Sequence, residues 1–402
     1  MEAGTLIIGS GPAGLAAAAF APDGAMVFEG RKAPGWKILI SGGGHCNVTN
    51  TFPAEDYVRF LGRAGRPLKH ALHSFGPEAI RSFLAAHGCP TVVRNGWEVY
   101  PKSNRASDIL DTLLAAARAN GAEVVCGARV TDIRRRAGRF VVTTRGEEVP
   151  ARRVLVATGS PAWDRPRPEF DAVVERLGHT IRPWVAAISP VVLRDNPFEG
   201  LQGIAFRGRV AVAGRWRDAD EILVTDEGLS GPAVMNASAE IHRQLRDGAG
   251  DEFEVDLLPG ETRDETVRAI LSARARHPRG TLVTVLAESL PRRLAERLLA
   301  LAGAGEVTLS QAKREDAEKV SGVLHNFRCA AAGLPPVAKG FVASGGVPLD
   351  EVKARTLESR IVPGLFFAGE ILDYDAPSGG FYITIALATG RLAGLGLHGR
   401  AD

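Results

Sequence analysis

Apolar and polar positions change rhythm along the chain, and the changes mark its parts. Thr5-Leu6-Ile7-Ile8 is a short apolar run that predicts a buried strand; a glycine turn, an Ala-rich stretch at helical spacing and Val27-Phe28-Glu29 follow. Helical spacing predicts helices over Pro77–His87 and Ser107–Asn120, with Ser107 and Asp108 suited to the start of the second. Alternation predicts strands over Glu123–Cys126, Ala128–Arg134 and Arg139–Thr144, and then a buried strand, Arg153–Ala157, that ends in Thr158-Gly159. Between these, Gly35–Asn50 reads as a glycine-rich loop too polar and too flexible for a core element.

The rhythm shifts near residue 185. Short alternating stretches at Ile188–Leu193, Ile204–Val212 and Ile222–Thr225, with turn residues between them, predict a small β-rich body. In it Asp226 and Glu227 read as a turn and cap. Helical spacing returns at Asp264–Arg276, Pro291–Leu301 and Leu309–His325. The last segment regains the first one's character: Gly364–Glu370 is a strand ending at a glycine, and Gly379-Gly380 opens a helix from Phe381 to about Leu395. The expected domains are residues 1–185 and 346–402 as one discontinuous body, an inserted β-rich part over 186–258 and 326–345, and a helical part over 259–325.

The opening glycines carry chemistry. In Gly9-Ser10-Gly11-Pro12-Ala13-Gly14, Gly9 permits a tight turn out of the strand, Gly11 lets backbone approach a pyrophosphate, and Gly14 allows helix and strand to pack closely. A helix starting near Pro12 would point its free N–H groups at phosphates. Glu29 stands twenty residues after Gly9, where a second strand ends, and its carboxylate can accept from a ribose hydroxyl. These features together predict an adenine dinucleotide site.

The far end of the chain chooses between dinucleotides. An NAD site is completed within the first half of such a domain, whereas the longer FAD needs contacts from distant strand ends. Gly369-Glu370, Asp373 and the helix opened by Gly379, Gly380 and Phe381 supply an acid for ribityl hydroxyls and N–H donors for the flavin's N1–C2 carbonyl edge. Thr158-Gly159 is the third strand end that passes close to the cofactor. The pattern predicts FAD.

Composition narrows the setting. The 402 residues suffice for several domains, and 45% hydrophobic with 24% charged residues is ordinary for a soluble globular chain. No apolar run reaches a membrane span, and the first residues lead straight into a strand, which predicts a cytoplasmic protein without a signal peptide. Cys46, Cys89, Cys126 and Cys329 are scattered with no CxxC pair, against structural zinc or a disulfide framework; no metal site is expected. Net charge is only +3, and Arg134-Arg135-Arg136, Arg152-Arg153 and Arg292-Arg293 are basic clusters of the kind that usually form solvated faces.

Lys37-Ile-Leu-Ile-Ser41-Gly42-Gly43-Gly44-His45-Cys46-Asn47-Val-Thr49-Asn50 resembles the signature loop of the BaiN/YhiN-type bacterial flavoproteins. Thr225–Pro232, Gly345-Gly346-Val347, Thr356–Ser359 and Pro363–Asp373 match further, in family order across almost the whole chain. The resemblance implies an α/β fold: a discontinuous Rossmann-like, glutathione-reductase-like FAD-binding domain with an inserted β-rich domain and a small helical subdomain. Pattern and resemblance together give the expected cofactor contacts: Gly9, Gly11, Pro12, Ala13, Gly14, Glu29, Lys37, Ser41, Gly42, Gly43, Gly44, Cys46, Asn47, Val130, Thr158, Gly159, Gly369, Glu370, Asp373, Gly379, Gly380 and Phe381. Two departures stand out. The family loop usually has Arg where this chain has His45, and Tyr-Asn-Leu-Gln where it has Phe381-Tyr382-Ile383-Thr384.

For catalysis, His45 and Tyr382 are the candidates, as proton donors or partners of the reduced flavin; the alternatives are a packing histidine and an aromatic wall. Tyr374, Asp375 and Thr384 are expected around the same ring, and Cys46 reads more readily as a packed side chain than as a nucleophile. No second GxGxxG provides a nicotinamide domain, so NADH or NADPH would dock transiently. The resemblance implies hydride transfer through flavin N5 to an activated C=C bond, in an enone-like small molecule or in uracil of ribosomal RNA. Two alternatives stay open: an amine or amino-ketone oxidase using oxygen, and an RNA-binding flavoprotein acting on ribosomal RNA.

Overall fold

The computed structural model describes residues 3–22, 24–163, 168–277, 279–305 and 307–399. Met1, Glu2 and residues 400–402, at the ends of the expected cofactor domain, lie outside them. The chain forms two compact units. One comprises the residues up to Trp184 and those from Ala343 onward, and the other Val185–Val342.

The first unit is built on a mixed sheet. Its strands are β1 (Ala3–Ile8), β2 (Met26–Glu29), β3 (Glu123–Cys126), β4 (Val130–Arg136), β5 (Arg139–Thr144), β6 (Glu147–Val156) and β7 (Leu365–Phe367). They lie in the order β3-β2-β1-β6-β5-β4, with β7 also on β6. Strands β3, β2, β1, β6 and β7 run parallel, while β5 is antiparallel to both β4 and β6. Leu6, Ile7, Val154, Leu155, Val156 and Phe367 are each 0% exposed, the unbroken burial of a parallel sheet covered on both faces. The strand order reverses between β1 and β6, so their C-terminal ends form the crevice where ligands of such sheets bind.

Helix α1 (Pro12–Phe20) follows β1, and α2 (Trp36–Ile40), α3 (Ala106–Ala119) and α4 (Phe381–Gly396) complete the layers used below. Small residues let α1 and α4 touch backbone to backbone. A Cβ on Gly390 would stand 2.2 Å from the Ala13 carbonyl oxygen, and one on Gly394 would stand 2.5 Å from that of Ala17. This contact fastens the last helix of the chain to the first turn. A small antiparallel sheet of Thr49–Asn50, Glu98–Pro101 and Thr91–Arg94 lies in the same unit.

Local signals missed several elements here. Ala54–Phe60, Gly65–Ser74 and Pro168–Arg176 are helices. The segment Gly35–Asn50 is not a flexible loop outside the core: it holds α2 and a 3-10 turn over Ser41–Gly44, and Cys46, Val48, Thr49 and Asn50 are 0% exposed. Its buried polar residues bond to the start of α4, Thr49 to the Thr384 hydroxyl and Asn50 to the Gly379 carbonyl, a pairing that composition does not reveal.

The second unit carries an antiparallel sheet in the order Val191–Val192, Gly228–Ser230, Asp220–Val224, Ala205–Val212, Glu252–Asp256, Phe327–Ala330, with Arg215–Trp216 on Ala205–Val212. Asp226 and Glu227 form the turn between two of these strands, where Thr225 N–H donates to the Gly228 carbonyl. Helix Arg263–Arg276 starts at a reciprocal Thr262–Glu265 cap, and Arg292–Leu301 and Arg314–His325 follow. The expected helical subdomain is not a separate body: Phe198, Val210, Ile222 and Phe253 from the sheet share one core with Ile270, Leu294, Leu298 and Leu324. Helices this short cannot bury an apolar face alone and spend it on the sheet. A further helix, Pro232–Arg246, interrupts what the alternating stretches suggested was all strand.

Candidate functional site

The site grows from the turn after β1. Gly9 has φ +104, and a Cβ there would lie 2.4 Å from the Ala157 carbonyl oxygen at the end of β6. A Cβ on Gly14 would lie 1.9 Å from the Gly9 carbonyl oxygen. Gly11, by contrast, has nothing within 4 Å of a Cβ. The turn is closed on its protein side and open at Gly11, as a backbone approached by a ligand requires. Gly11 caps α1 without a side-chain bond, Pro12 has no N–H, and the first helical bond is Leu15 N–H to the Gly11 carbonyl. The N–H groups of Ala13 and Gly14 therefore face out of the helix end.

Glu29 ends β2 and organises the turn. Its Oε2 accepts from both the N–H (3.1 Å) and the hydroxyl of Ser10, and its Oε1 accepts from the Arg31 N–H at 2.8 Å. Beyond it opens a cavity of about 540 Å³ lined by Arg31, Lys32, Trp36, Leu39, Ile40 and Arg129. The Arg31 guanidinium lies 4.3 Å over the Trp36 ring. Leu39 and Ile40 are 40% and 39% exposed there. Val130 follows Arg129 on β4 and is buried.

A second group joins distant parts of the chain. Lys37 on α2 donates to the Ser160 carbonyl at 2.9 Å and pairs with Glu370 at 3.3 Å, and the Ser160 hydroxyl donates to Glu370 at 2.8 Å. Thr158 and Gly159, with φ +68, carry the chain from β6 to Ser160. Gly369, φ +75, could not carry a Cβ, which would meet that of Ala13 at 2.7 Å. Glu370 is thus held beside the α1 turn. Asp373 Oδ2 pairs with Arg182 at 2.6 Å, which fixes the carboxylate.

The glycine loop and α4 form the third part. Gly379 and Gly380 have φ +92 and +82; a Cβ on the first would meet Trp97 at 2.2 Å, and on the second the Thr49 carbonyl at 2.6 Å. Asn50 donates to the Gly379 carbonyl at 3.0 Å. Helix α4 begins after Gly380 with no side-chain cap, leaving the first N–H groups of the helix without a helical acceptor. Ser41 donates its hydroxyl to the Ile38 carbonyl, and Gly43 has open space where a Cβ would be. Asn47 donates to Glu98 at 3.0 Å, and its buried Oδ1 has no partner among the described residues.

Three expectations need correction. Cys46 is not a cofactor contact: its thiol is 0% exposed, and burial pushes it up to about 12, so it packs as a small apolar group. The Phe381 side chain points away into an aromatic cluster, 4.5 Å from Tyr57, 5.5 Å from Phe60 and 5.8 Å from Phe52, leaving only its backbone N–H for a ligand. Thr384 is 0% exposed, and its hydroxyl is engaged by Thr49, Tyr57 and the Gly380 carbonyl, so it locks the start of α4 instead of facing a ring.

The two proposed catalytic groups are placed differently. His45 is exposed, and its Nδ1–H donates to the Asn104 carbonyl at 2.9 Å. The Tyr382 hydroxyl accepts from the Ala376 N–H at 3.2 Å and steadies the loop before α4. Tyr374, ranked behind it from sequence, lies 5.6 Å from the Tyr382 ring with its hydroxyl buried and without a partner among the described residues. Burial, and then Glu370 and Tyr382 nearby, hold that hydroxyl well above the ordinary tyrosine range, so it stays protonated. Ser160, Glu98 and Trp97 are site residues that sequence reasoning missed.

These groups fit an adenine dinucleotide with a flavin. The open Gly11 face and outward N–H groups suit a pyrophosphate, Glu29 and the cavity beyond it suit the adenosine end, and the buried orphans Asn47 Oδ1 and Tyr374 hydroxyl suit a polar ring. Among the described residues no His, Cys, Asp or Glu cluster could hold a metal ion, and no helix is long and apolar enough to cross a membrane.

Comparison with known proteins agrees with this geometry. The HI0933-like protein Rossmann domain matches residues 3–396. The chain is 31% identical over 400 residues to the 3-dehydro-bile acid delta(4,6)-reductase of Clostridium scindens, covering 96% of this chain and 97% of that one. It is 28% identical over 385 residues to the ribosomal RNA dihydrouridine synthase of Escherichia coli, covering 94% and 93%. Among solved structures, 3-ketosteroid delta1-dehydrogenase from Sterolibacterium denitrificans shares the fold with a TM-score of 0.52 at 12% identity, covering 97% of this chain and 98% of that one.

Proposed function

The chain belongs to the HI0933-like Rossmann-domain family, and on that premise we propose that it is an FAD-dependent oxidoreductase that reduces an activated C=C bond with NADH or NADPH as donor. One observation carries the reaction class. Two relatives matched along almost their whole length act on chemically remote substrates, a bile acid and uridine in RNA, yet both are named for saturating a double bond. What such a family holds in common is the bond change, and the substrate is what varies.

FAD, when bound, supplies the two-electron hydride chemistry at its N5. The protein's part is to bind, orient and hold protons. Gly11 admits the pyrophosphate and the N–H groups of Ala13 and Gly14 donate to it, with the α1 dipole behind them. Glu29 keeps its bonds to Ser10 and Arg31 and still has lone pairs for ribose hydroxyls. Glu370, steadied by Lys37 and Ser160, accepts from the ribityl chain. The N–H groups at the start of α4 meet the electron-rich edge of the ring, where a helix N-terminus favours the charge gained on reduction. Tyr374, its ring 5.6 Å from that of Tyr382 in the first turn of α4, keeps a buried, protonated hydroxyl that can act as a donor. All four cysteines are free thiols, which supports a reducing, cytoplasmic setting.

The second reading keeps the chemistry and changes the substrate to uracil in ribosomal RNA, favoured by the full-length similarity to a dihydrouridine synthase. An anaerobic stopped-flow experiment tests the reaction class. The purified yellow protein is mixed with NADH, NADPH and a panel of amines, and oxygen is then admitted. Bleaching by a nicotinamide with slow reoxidation is the expected result. Bleaching only by an amine, with fast peroxide release, would replace the reductase by an oxidase. Enone and uridine-containing RNA acceptors, added to the reduced protein, then separate the two substrates.

A further inference from the structure

Asn47 has an amide whose orientation the protein fixes and whose oxygen it leaves unused. Its Nδ2 donates to Glu98 Oε1 at 3.0 Å. A carboxylate only accepts, so the amide cannot turn its oxygen toward Glu98 without losing that bond. The other Glu98 oxygen accepts from Asn95 Nδ2 at 2.6 Å, which pins the carboxylate between two amides. Asn47 Oδ1 is therefore directed away from Glu98, is buried, and meets no donor among the described residues. A buried carbonyl left without a donor is costly, so the position calls for a ligand N–H or O–H.

The surroundings say which donor. The backbone N of Asn47 lies 3.0 Å from where a Gly42 Cβ would be, so the amide follows directly on the glycine loop. Two residues on, Thr49 and Asn50 grip Gly379, Gly380 and Thr384 at the start of α4. On the reading proposed above, both the glycine loop and the start of α4 offer N–H donors to a flavin. The pyrimidine edge of a flavin presents a carbonyl, an imide N–H and a second carbonyl in a row. Donors on either side serve the carbonyls, and the N–H between them needs an acceptor.

We infer that Asn47 Oδ1 accepts from the imide N–H of the flavin pyrimidine ring, and that Glu98 is the positioning residue that holds the amide in the accepting orientation. This rests on FAD being the cofactor. No other side chain among the described residues of the loop offers a buried acceptor without a partner.

The test compares FAD with 3-methyl-FAD, whose imide hydrogen is replaced by a methyl group, in binding to deflavinated protein followed by flavin fluorescence. The wild-type protein is expected to prefer FAD by about tenfold or more, the loss of one buried hydrogen bond with a clash added. In Asn47→Leu, which keeps the volume and removes the acceptor, both flavins bind with similar affinity. Glu98→Gln can present either end of its amide to Asn47, so the preference falls part of the way while thermal unfolding of the apoprotein stays close to wild type. Equal binding of the two flavins by the wild-type protein overturns the inference even if the variants do not fold. So does a full preference retained by Asn47→Leu. If the protein binds neither flavin, the FAD reading itself has failed, and that result is distinct from binding both equally.

Discussion

Substituting Ala for Gly14 and for Gly11 should separate what the glycine turn does for the fold from what it does for the cofactor. At Gly14 the added methyl would stand 1.9 Å from the Gly9 carbonyl oxygen, far inside contact distance. Gly9 cannot recoil, because its own Cα already sits against the Ala157 carbonyl, where a Cβ would be 2.4 Å away. Helix propensity favours Ala over Gly by about 1 kcal/mol. Overpacking costs about 1–3 kcal/mol even where side chains can yield, and here only backbone is available to yield. Gly14→Ala is therefore expected to lower apoprotein stability by about 2 kcal/mol or more. At Gly11 no atom lies within 4 Å, and φ −75 suits any residue. Gly11→Ala should leave apoprotein stability within about 1 kcal/mol of wild type, the difference between Gly and Ala at a helix cap. Its methyl would occupy the side from which a pyrophosphate approaches, so FAD affinity should fall by about tenfold or more, roughly 1.4 kcal/mol. Urea unfolding of the deflavinated proteins gives the first quantity, and FAD titration followed by fluorescence gives the second. A Gly14→Ala apoprotein as stable as wild type, or a Gly11→Ala protein with wild-type FAD affinity, would refute the reasoning.

Other consequences can be checked alongside. Glu29→Ala strands the buried Ser10 N–H, and the apoprotein should lose about 1–3 kcal/mol on urea unfolding; Ser10→Ala added to it should cost little more, and an unchanged midpoint in Glu29→Ala would contradict the geometry. Cys46, its thiol pushed up to about 12, should resist alkylation in the native protein near neutral pH while the half-buried Cys126 reacts first; mass spectrometry showing Cys46 modified first would overturn its placement. Burial lowers the ring pKa of both His179 and His242 below the ordinary histidine value. Both rings are neutral when folded and take up protons on unfolding, so their contribution is complete above about pH 6.5 and is lost as pH falls below it. Thermal unfolding should accordingly drop between about pH 7 and pH 5, and a flat profile over that range would argue against neutral buried rings.

How much of this was legible follows from how far each signal reaches. The turn at Gly9, Gly11 and Gly14 and the acid at Glu29 could be read because their chemistry is set by spacing within one βαβ unit. The return of the chain to the same sheet was legible from the strand expected before Gly369-Glu370, which is β7 beside β6, with Gly369 and Glu370 in the 3-10 turn that follows it. Helix Pro232–Arg246 was legible but missed: Gly231-Pro232 opens it, and Ala233, Val234, Ala237 and Ile241 mark its buried face. The site's own second layer was not legible at all. Ser160 meets Lys37 across 123 residues and Glu370 across 210, and the Gly379 turn is closed by Trp97. No periodicity encodes such pairs.

The same distinction explains why residue type misled at Phe381, Cys46 and Thr384. Each stands at a position where a ligand contact is expected, and each side chain turns inward. Phe381 fills the space between Phe52, Tyr57 and Phe60, Cys46 fills the core under the glycine loop, and Thr384 ties α4 to Thr49 and Tyr57. Phe381 keeps its N–H at the uncapped start of α4, while Cys46 and Thr384 are wholly buried and act only by fixing the segments around them. A site made chiefly of main-chain N–H groups needs rigid backbone, and rigidity comes from side chains committed to the interior. Asn47 Oδ1, just after the glycine loop, and the Tyr374 hydroxyl, 5.6 Å ring to ring from Tyr382 at the start of α4, are buried polar atoms that find no partner among the described residues. Buried polar atoms without partners are rare in folded proteins, so these two, set among the segments that carry the glycine loop and α4, are consistent with a polar group of the ligand meeting them there.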